Sequence, residues 1–365
     1  MKVTREKFFE ISPKFDIVPF TQSKGWHDFN AGYNIEYWVD SDIDLNIGFW
    51  ALVTQHKILG KKLIVEGICL KKNTAPKIIK NFLSDTIKES EADAFYLSDI
   101  SEQDANLEIA LRRSGLKRPL ALGLCPMTIL VDCQAPFNFH RNWRRQVKKS
   151  IDCGNVFEVI TNPTESELID FIALFEQLKD RKALGYHLSV AQLKQLIETN
   201  EYFISFILNK AGKPLCGRMT YVQNNHAYDI FAANSNEGLS SGAIYHNQQG
   251  LLEYLKENGV LDFDYGRIPP GTDEMDNIYI SKSYSGGRPV IYNGEWEYVK
   301  SNLKNWIYNF YRFALHTSKR YSFMPITMAT SAMYQIFSNL PPRGGNRYPH
   351  LSGLRYSMLK PSFII

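Results

Sequence analysis

Apolar and polar positions run in the same order twice along this chain. Asn46 to Thr54 reads as a strand, residues 55–62 as a turn, and Leu63 to Leu70 as a second strand. Ala75 to Ser90 then carries apolar residues at Ile78, Ile79, Phe82, Leu83 and Ile87, the spacing of one helix face. Ala94 to Ser98 closes the unit as a strand. In the second half Tyr202 to Leu208 is a strand and Asn209 to Lys213 a hairpin-type turn. Pro214 to Val222 and His226 to Ala233 continue the sheet, Gly242 to Asn258 is helical, and Leu261 to Tyr265 is again a strand. The strand–helix–strand unit that starts near Leu63 returns roughly 165 residues later, which points to duplication. Between the halves, Thr164 with Glu167 and Ser189 with Gln192 have capping-box spacing ahead of apolar helix faces. No low-complexity linker separates them, so close packing of the halves is expected.

The stretch from Gly259 to Gly287 holds the densest candidate chemistry. A buried strand from Val260 to Tyr265 ends at Gly266, and a Pro-Pro-Gly loop with acidic and amide groups follows. A second short segment presents Lys282 just before Gly286-Gly287. Strand ends that open into such loops are where α/β folds gather polar chemistry.

Composition narrows the class. With 365 residues, 44% apolar and 22% charged, the chain is long enough for two soluble domains. No run of about 18 apolar residues predicts a membrane span, and the charged N-terminus is no signal peptide. Five scattered cysteines without a C-x-x-C pair, and eight dispersed histidines, predict neither a disulfide framework nor a metal site. A reducing cytoplasm, with contact at the inner membrane face, is the expected location. The charge is uneven: from Ser301 onward there are eight basic residues and no acid, so the net +4 of the chain becomes −4 over residues 1–300. Trp306, Tyr308, Phe310, Tyr311 and Phe313 interleave with these cations. A polyanion or an anionic membrane surface suits such a tail. The competing reading is a helix from Leu303 to Thr317, packed by its aromatic face, ahead of a loosely ordered end.

Phe263-Asp264-Tyr265-Gly266-Arg267, then Ser281-Lys282, then Gly286-Gly287 resemble, in order, the C-terminal signature of the FemAB family. Its members transfer amino acids from aminoacyl-tRNA to cell-wall precursors. Trp26 to Phe29, Leu63 to Leu70, Gly115-Leu116, Cys125 to Asp132, Phe139 to Ser150 and Glu295-Trp296 follow the rest of the family pattern over residues 20–300. The compact FemX type, and the FemAB-like proteins of exopolysaccharide systems, are the nearer relatives. The resemblance implies an α/β protein of two fused GNAT-like (acyl-CoA N-acyltransferase-like) domains, mixed sheets flanked by helices. The first domain is expected over 1–150, the second over 151–300, and a basic, aromatic helix and tail over 301–365.

The same resemblance implies an acyl- or aminoacyltransferase that forms an amide on a cell-envelope precursor without a cofactor. Lys282 is then a catalytic cation facing a developing oxyanion, against the alternative of a solvated turn lysine. Asp264 is a candidate proton acceptor, against the alternative of a strand-end carboxylate that holds backbone amides. Tyr228, Phe231 and Asn234 fall on the strand where the family places its pocket, and Arg181, His187, Arg267 and Trp26 are further substrate-binding candidates. The family's lysine after the first tryptophan is Asn30 here, and an arginine of its linker loop is matched at best by His187, so a UDP-linked muropeptide acceptor is not implied. Arg141, Arg144, Arg145, Lys148 and Lys149 form the densest basic run and align at four-residue steps if helical. They fit tRNA phosphates or a sugar diphosphate, or simply a solvated helix. Ser240-Ser241-Gly242-Ala243 lacks the Arg or Gln that leads the pyrophosphate turn of acetyl-CoA enzymes, which favours an aminoacyl-tRNA donor over an acyl thioester. Two alternatives stay open: a thioester-dependent N-acyltransferase of polysaccharide or lipid assembly, and a non-catalytic protein that binds a polyanion or membrane.

Overall fold

The alternating apolar runs become strands of one mixed sheet. The computed structural model describes residues 1–310 except 31, 120–123, 183–184 and 269–272. Along the chain the first half contributes β1 (Lys2–Val3), α1 (Arg5–Ile11), α2 (Lys24–Phe29), β2 (Asn34–Val39), β3 (Ile47–His56), β4 (Gly60–Glu66), β5 (Cys69–Leu70), α3 (Pro76–Glu89), β6 (Ala94–Glu102), α4 (Ala105–Arg113), β7 (Met127–Asp132) and α5 (Arg141–Asp152). The second contributes β8 (Val156–Ile160), α6 (Glu165–Lys182), α7 (Val190–Ile197), β9 (Tyr202–Leu208), β10 (Pro214–Gln223), β11 (His226–Asn234), α8 (Asn236–Ser241), α9 (Ala243–Glu257), β12 (Asp262–Asp264), α10 (Asp273–Ser283) and β13 (Arg288–Val299). The sheet order is β1-β2-β3-β4-β6-β13-β7-β12-β11-β10-β9-β8, with β5 paired to β3.

Both repeated units are present as parallel strand pairs joined by a crossover helix. β4 and β6 flank α3, with Leu63 opposite Phe95, and β11 and β12 flank α9, with Ala227 opposite Phe263. The strand expected over Leu63 to Leu70 is split. Gly67 sits at φ +75°, where a Cβ would lie 2.6 Å from the Pro19 ring, and the chain turns so that β5 pairs back to β3. The expected strand at Val260 to Tyr265 pairs only over Asp262–Asp264. Ser189 and Gln192 close a reciprocal capping box at α7, and Thr164 with Glu167 does the same ahead of α6. Residues 302–310 are helical. The rest of the expected helix to Thr317, and the tail cations Arg312, Lys319, Arg320, Arg343, Arg347, Arg355 and Lys360, lie outside the described residues.

Two strand exchanges make the sheet continuous. β7, from the first half of the chain, pairs with β12 of the second. β13 pairs through residues 288–291 with β7 and through residues 292–299 with β6. It bends at Gly294, φ +69°. The buried Asn293 side chain secures this bend. It donates to Asp99 Oδ2 (3.1 Å), Ser101 Oγ (2.9 Å) and the Glu102 carbonyl (3.0 Å), and accepts from the Asp104 N–H (3.0 Å). Three larger apolar cores follow. One lies under α3 and α4 and includes Trp296, whose ring carries the Arg118 guanidinium at 3.8 Å. One lies under α9. The third joins the halves, combining Phe8, Trp26 and Trp50 with Phe171, Phe175, Tyr221 and Phe231.

Candidate active site at the opening between two strands

A bulge in β11 sets the geometry. Thr220 of β10 faces Asp229 and Met219 faces Phe231, so Ile230 is the extra residue. Bulges bend a strand and re-aim its side chains. β11 pairs with β12 at three positions, the last being Tyr228 opposite Asp264. Beyond that pair β12 stops while β11 runs on to Asn234 beside β10. The equivalent pair in the first half, β4 and β6, keeps five positions and then a Gly67 N–H to Ser98 carbonyl bond of 2.8 Å. The opening is therefore particular to the second half.

Lys282 occupies this opening. It comes from the last turn of α10, a helical position and not the turn that the sequence suggested. Its Nζ donates to the Tyr265 carbonyl at 2.9 Å and lies 3.9 Å from Asp229 Oδ2. These are the first residues past the last β11–β12 pair, one from each strand. The Tyr265 ring lies 5.2 Å from the ammonium. Burial pulls the Lys282 pKa down to about 8, while Asp229 raises it, Arg218 lowers it and Asp264 raises it. At neutral pH the group is mostly a cation. Asp229 also forms a buried ion pair with Arg218 of β10. Its second oxygen, Oδ1, is buried without a hydrogen-bond partner. Arg218, Asp229 and Lys282 thus place two cations around one carboxylate.

Asp264 faces the other side of the sheet. Side chains alternate along a strand: Phe263 and Tyr265 pack in the core under α9, and Asp264 points toward Tyr228, Thr128 and Tyr292. It accepts from Thr128 Oγ1 (2.5 Å), the Tyr292 hydroxyl (2.8 Å) and the Gly266 N–H (2.8 Å). Burial raises its pKa to about 6 against those three donors. Tyr228 is half-buried on this face, and burial together with the Asp264, Asp262 and Asp99 carboxylates pushes its phenol up. The two residues read as catalytic from the sequence therefore share the opening but approach it from opposite faces.

The other candidates separate by place. Trp26 and Phe231 lie within the core between the halves, 2% and 1% exposed, with Trp26 stacked on Phe29 at 5.1 Å. Arg267 is also buried. It donates to the Cys125 carbonyl (2.6 Å) and Ser98 Oγ (2.7 Å), bridging the β7 entry to β6. Arg181 clamps the end of β11, donating to the Asn234 carbonyl (3.1 Å) and Asn236 Oδ1 (3.1 Å). His187 is exposed beside Glu176 and Lys179. Arg141, Arg144, Arg145, Lys148 and Lys149 all lie on the exposed face of α5, whose Trp143, Val147 and Ser150 are buried. Lys149 donates to the Ser240 carbonyl at 2.6 Å and Lys148 lies 3.5 Å from Asp152. Among the described residues the three arginines have no ion-pair partner. Sequence reasoning missed Arg218, Asp229, Tyr292 and Asn293. A signal was present for the first two: each is a lone charge inside an otherwise apolar run, on neighbouring strands of opposite sign.

Helix α5 also covers the start of α9. Gly242, φ +78°, precedes α9, and a Cβ there would lie 2.4 Å from the Gln146 carbonyl of α5. The turn that precedes α9 is thus packed against another helix.

No family model matches the chain, and no curated protein sequence does. Solved structures do. The crystal structure of FemX superposes with a TM-score of 0.69 at 15% identity, over 84% of this chain and 99% of that one. L-PGS from Bacillus licheniformis gives 0.57 at 13% identity, over 84% and 96%. The C-terminal domain of a putative lysylphosphatidylglycerol synthetase from Agrobacterium fabrum gives 0.56 at 14%, over 83% and 93%. The chain has the fold of FemX, a mixed α/β sheet flanked by helices in which a strand–helix–strand unit occurs twice, as its sequence resemblance implied.

Proposed function

We propose that this chain is a transferase that joins an aminoacyl group to an amine of a cell-envelope precursor, with aminoacyl-tRNA as donor. The observation that carries the reading is the Lys282 cation at the β11–β12 opening, its side chain 15% exposed. The acceptor amine attacks the ester carbonyl and a C–N bond forms. The carbonyl oxygen becomes an oxyanion, which the Lys282 ammonium stabilises while staying protonated. The C–O bond to the ribose then breaks, and the departing oxygen takes the proton that the amine gives up. A preorganised cation in a water-poor site is worth several kcal/mol to such a step. Among the solved structures that share the fold are FemX and a domain named for a putative lysylphosphatidylglycerol synthetase, which supports aminoacyl transfer to a cell-envelope acceptor.

Two features of α5 support that donor. It packs over the start of α9, where a coenzyme-A pyrophosphate would need free backbone N–H groups. Its outward face carries five cations suited to phosphates spaced along an RNA strand. Polyanion binding by Arg141, Arg144, Arg145, Lys148 and Lys149 belongs to this proposal, as does donor or acceptor binding by Tyr228, Asn234 and Arg181.

The test is transfer from radiolabelled aminoacyl-tRNA to candidate amine acceptors, with acetyl-CoA and other thioesters in parallel. Lys282→Ala should reduce turnover about a hundredfold in a protein that still melts cooperatively. Unchanged turnover in that folded variant removes Lys282 from the mechanism. Micromolar binding of acetyl-CoA in calorimetry would make the thioester N-acyltransferase the better reading.

A further inference from the structure

The helix at residues 302–310 leaves its largest apolar side chains uncovered. Leu303 is 68% exposed, Trp306 64% and Phe310 47%. Their spacing of three and four places them on one stripe of the helix. The Trp306 and Phe310 rings stack at 5.9 Å and 17°. The opposite side is anchored: Tyr308 meets His56 of β3 edge-on at 5.2 Å, and Lys304 pairs with Asp93 at 3.7 Å. The helix is therefore fixed to the first half with its apolar stripe turned outward.

Charge says what covers it. Lys300 and Lys304 lie at the helix start, Lys57 is exposed in the hairpin next to His56, and the chain from Ser301 to Ile365 has eight cations and no acid. We infer that this stripe seats on an anionic lipid bilayer, lying in the headgroup layer with Lys57 and Lys300 beside it. A nucleic acid could stack bases on Trp306 and Phe310 but would leave the aliphatic Leu303 in water; a bilayer covers all three and uses the cations as well. Among the described residues no helix is long and apolar enough to cross a membrane. A short amphipathic helix binds weakly by itself, and stable attachment takes a second signal such as a basic segment. Both signals adjoin here. The inference is independent of the transfer reaction proposed above.

Tryptophan fluorescence reads the stripe directly. Of the six tryptophans, Trp26, Trp38, Trp50, Trp143 and Trp296 are at most 3% exposed, leaving Trp306 as the one open to solvent. Full-length protein is titrated with mixed phosphatidylglycerol–phosphatidylcholine vesicles and with pure phosphatidylcholine vesicles, and acrylamide quenching is followed. Anionic vesicles should shield the quenchable emission, and neutral ones should do so at least about tenfold more weakly. A Trp306→Phe protein should lack that emission. Leu303→Ser with Phe310→Ser, which keeps the reporter and alters only exposed side chains, should weaken partitioning about tenfold or more. Neutralising Lys319, Arg320, Arg343 and Arg347 together should flatten the salt dependence. The inference is overturned if anionic vesicles leave quenching unchanged, or if the Leu303/Phe310 variant partitions like wild type. Shielding without lipid that deepens with protein concentration assigns the stripe to a second copy, concentration-independent shielding assigns it to the protein's own tail, and shielding by tRNA but not vesicles assigns it to RNA; each of these also overturns it.

Discussion

Replacing Asp229 by Asn should switch off the charge on Lys282 without touching Lys282 itself. The carboxylate lies 3.9 Å from Nζ. At that distance two unit charges interact by about 4 kcal/mol at an effective dielectric near 20. One pKa unit corresponds to about 1.36 kcal/mol, so the full loss amounts to about three units. The amide dipole and local relaxation return part of this, and a fall of about one to three units from about 8 is expected. Lys282 would then be largely neutral at pH 7.5. Arg218→Met makes the opposite prediction. Its guanidinium lowers the Lys282 pKa, so its removal should raise it. Competitive acetylation with acetic anhydride across a pH series, read by mass spectrometry at Lys282, gives the neutral fraction without knowledge of the substrate. Both variants break the buried Arg218–Asp229 pair and should lose about 3–5 kcal/mol of stability, which a denaturant titration checks. General damage would move the two titrations the same way. Shifts of the same sign, or a Lys282 pKa that stays near 8 in Asp229→Asn, would refute the electrostatic account of the opening.

Three further outcomes are expected. Lys282→Met should stabilise the fold at pH 7 by up to about 3 kcal/mol, since the pKa falls from 10.5 to about 8 on folding; the unfolded chain holds the extra proton between those values, so the wild type gains stability as pH rises through that window and the variant's advantage fades by about pH 10.5. Paired denaturant titrations across pH 7 to 11 read this, and an advantage that grows with pH would contradict it. Gly242→Ala puts a Cβ 2.4 Å from the Gln146 carbonyl at φ +78°, and should cost about 2 kcal/mol or more by pushing α5 off α9; a midpoint equal to wild type would show that the packing there yields freely. Arg141→Gln, Arg144→Gln and Arg145→Gln together should weaken tRNA binding and lower its logarithmic salt slope by about one for each phosphate no longer neutralised; an unchanged slope removes α5 from the RNA footprint.

The fold was legible wherever one strand or helix satisfied its own pattern. Tyr202–Leu208 and the helix following Gly242 matched their periodicity to within a residue, because each carries one unbroken period of apolar positions between clear turn signals. What escaped was set by distant parts of the chain. Nothing in Met127–Asp132 says that it leaves its own half to pair with β12, and nothing in Arg288–Val299 says that it changes neighbour at Asn293. Leu63 to Leu70 reads as one strand because Gly67 is a single small residue in an apolar run; only the approach of Pro19 and Thr21 makes it a corner.

The site divides along the same line. Lys282 was visible as a lysine in an ordered motif, but its surroundings were not, since they come from four separate segments: β10, β11, the end of β12 and α10. The alternation that buries Tyr265 under α9 turns Asp264 to the opposite face, so the two residues closest in motif are divided by the sheet itself. A one-residue bulge at Ile230 decides the remainder. It bends β11 at the point where β12 ends, and the space so opened is filled by a lysine carried on a helix that no β-pairing rule predicts. A conservative change at Ile230 would leave every candidate side chain in place. Removing the extra residue would leave Asp229 opposite Thr220 and Phe231 opposite Met219 in unbroken register, and would take out the bend that lets β11 diverge beyond the Tyr228–Asp264 pair. The shape of the opening therefore depends on the bulge, while its charge depends on Arg218, Asp229 and Lys282 themselves.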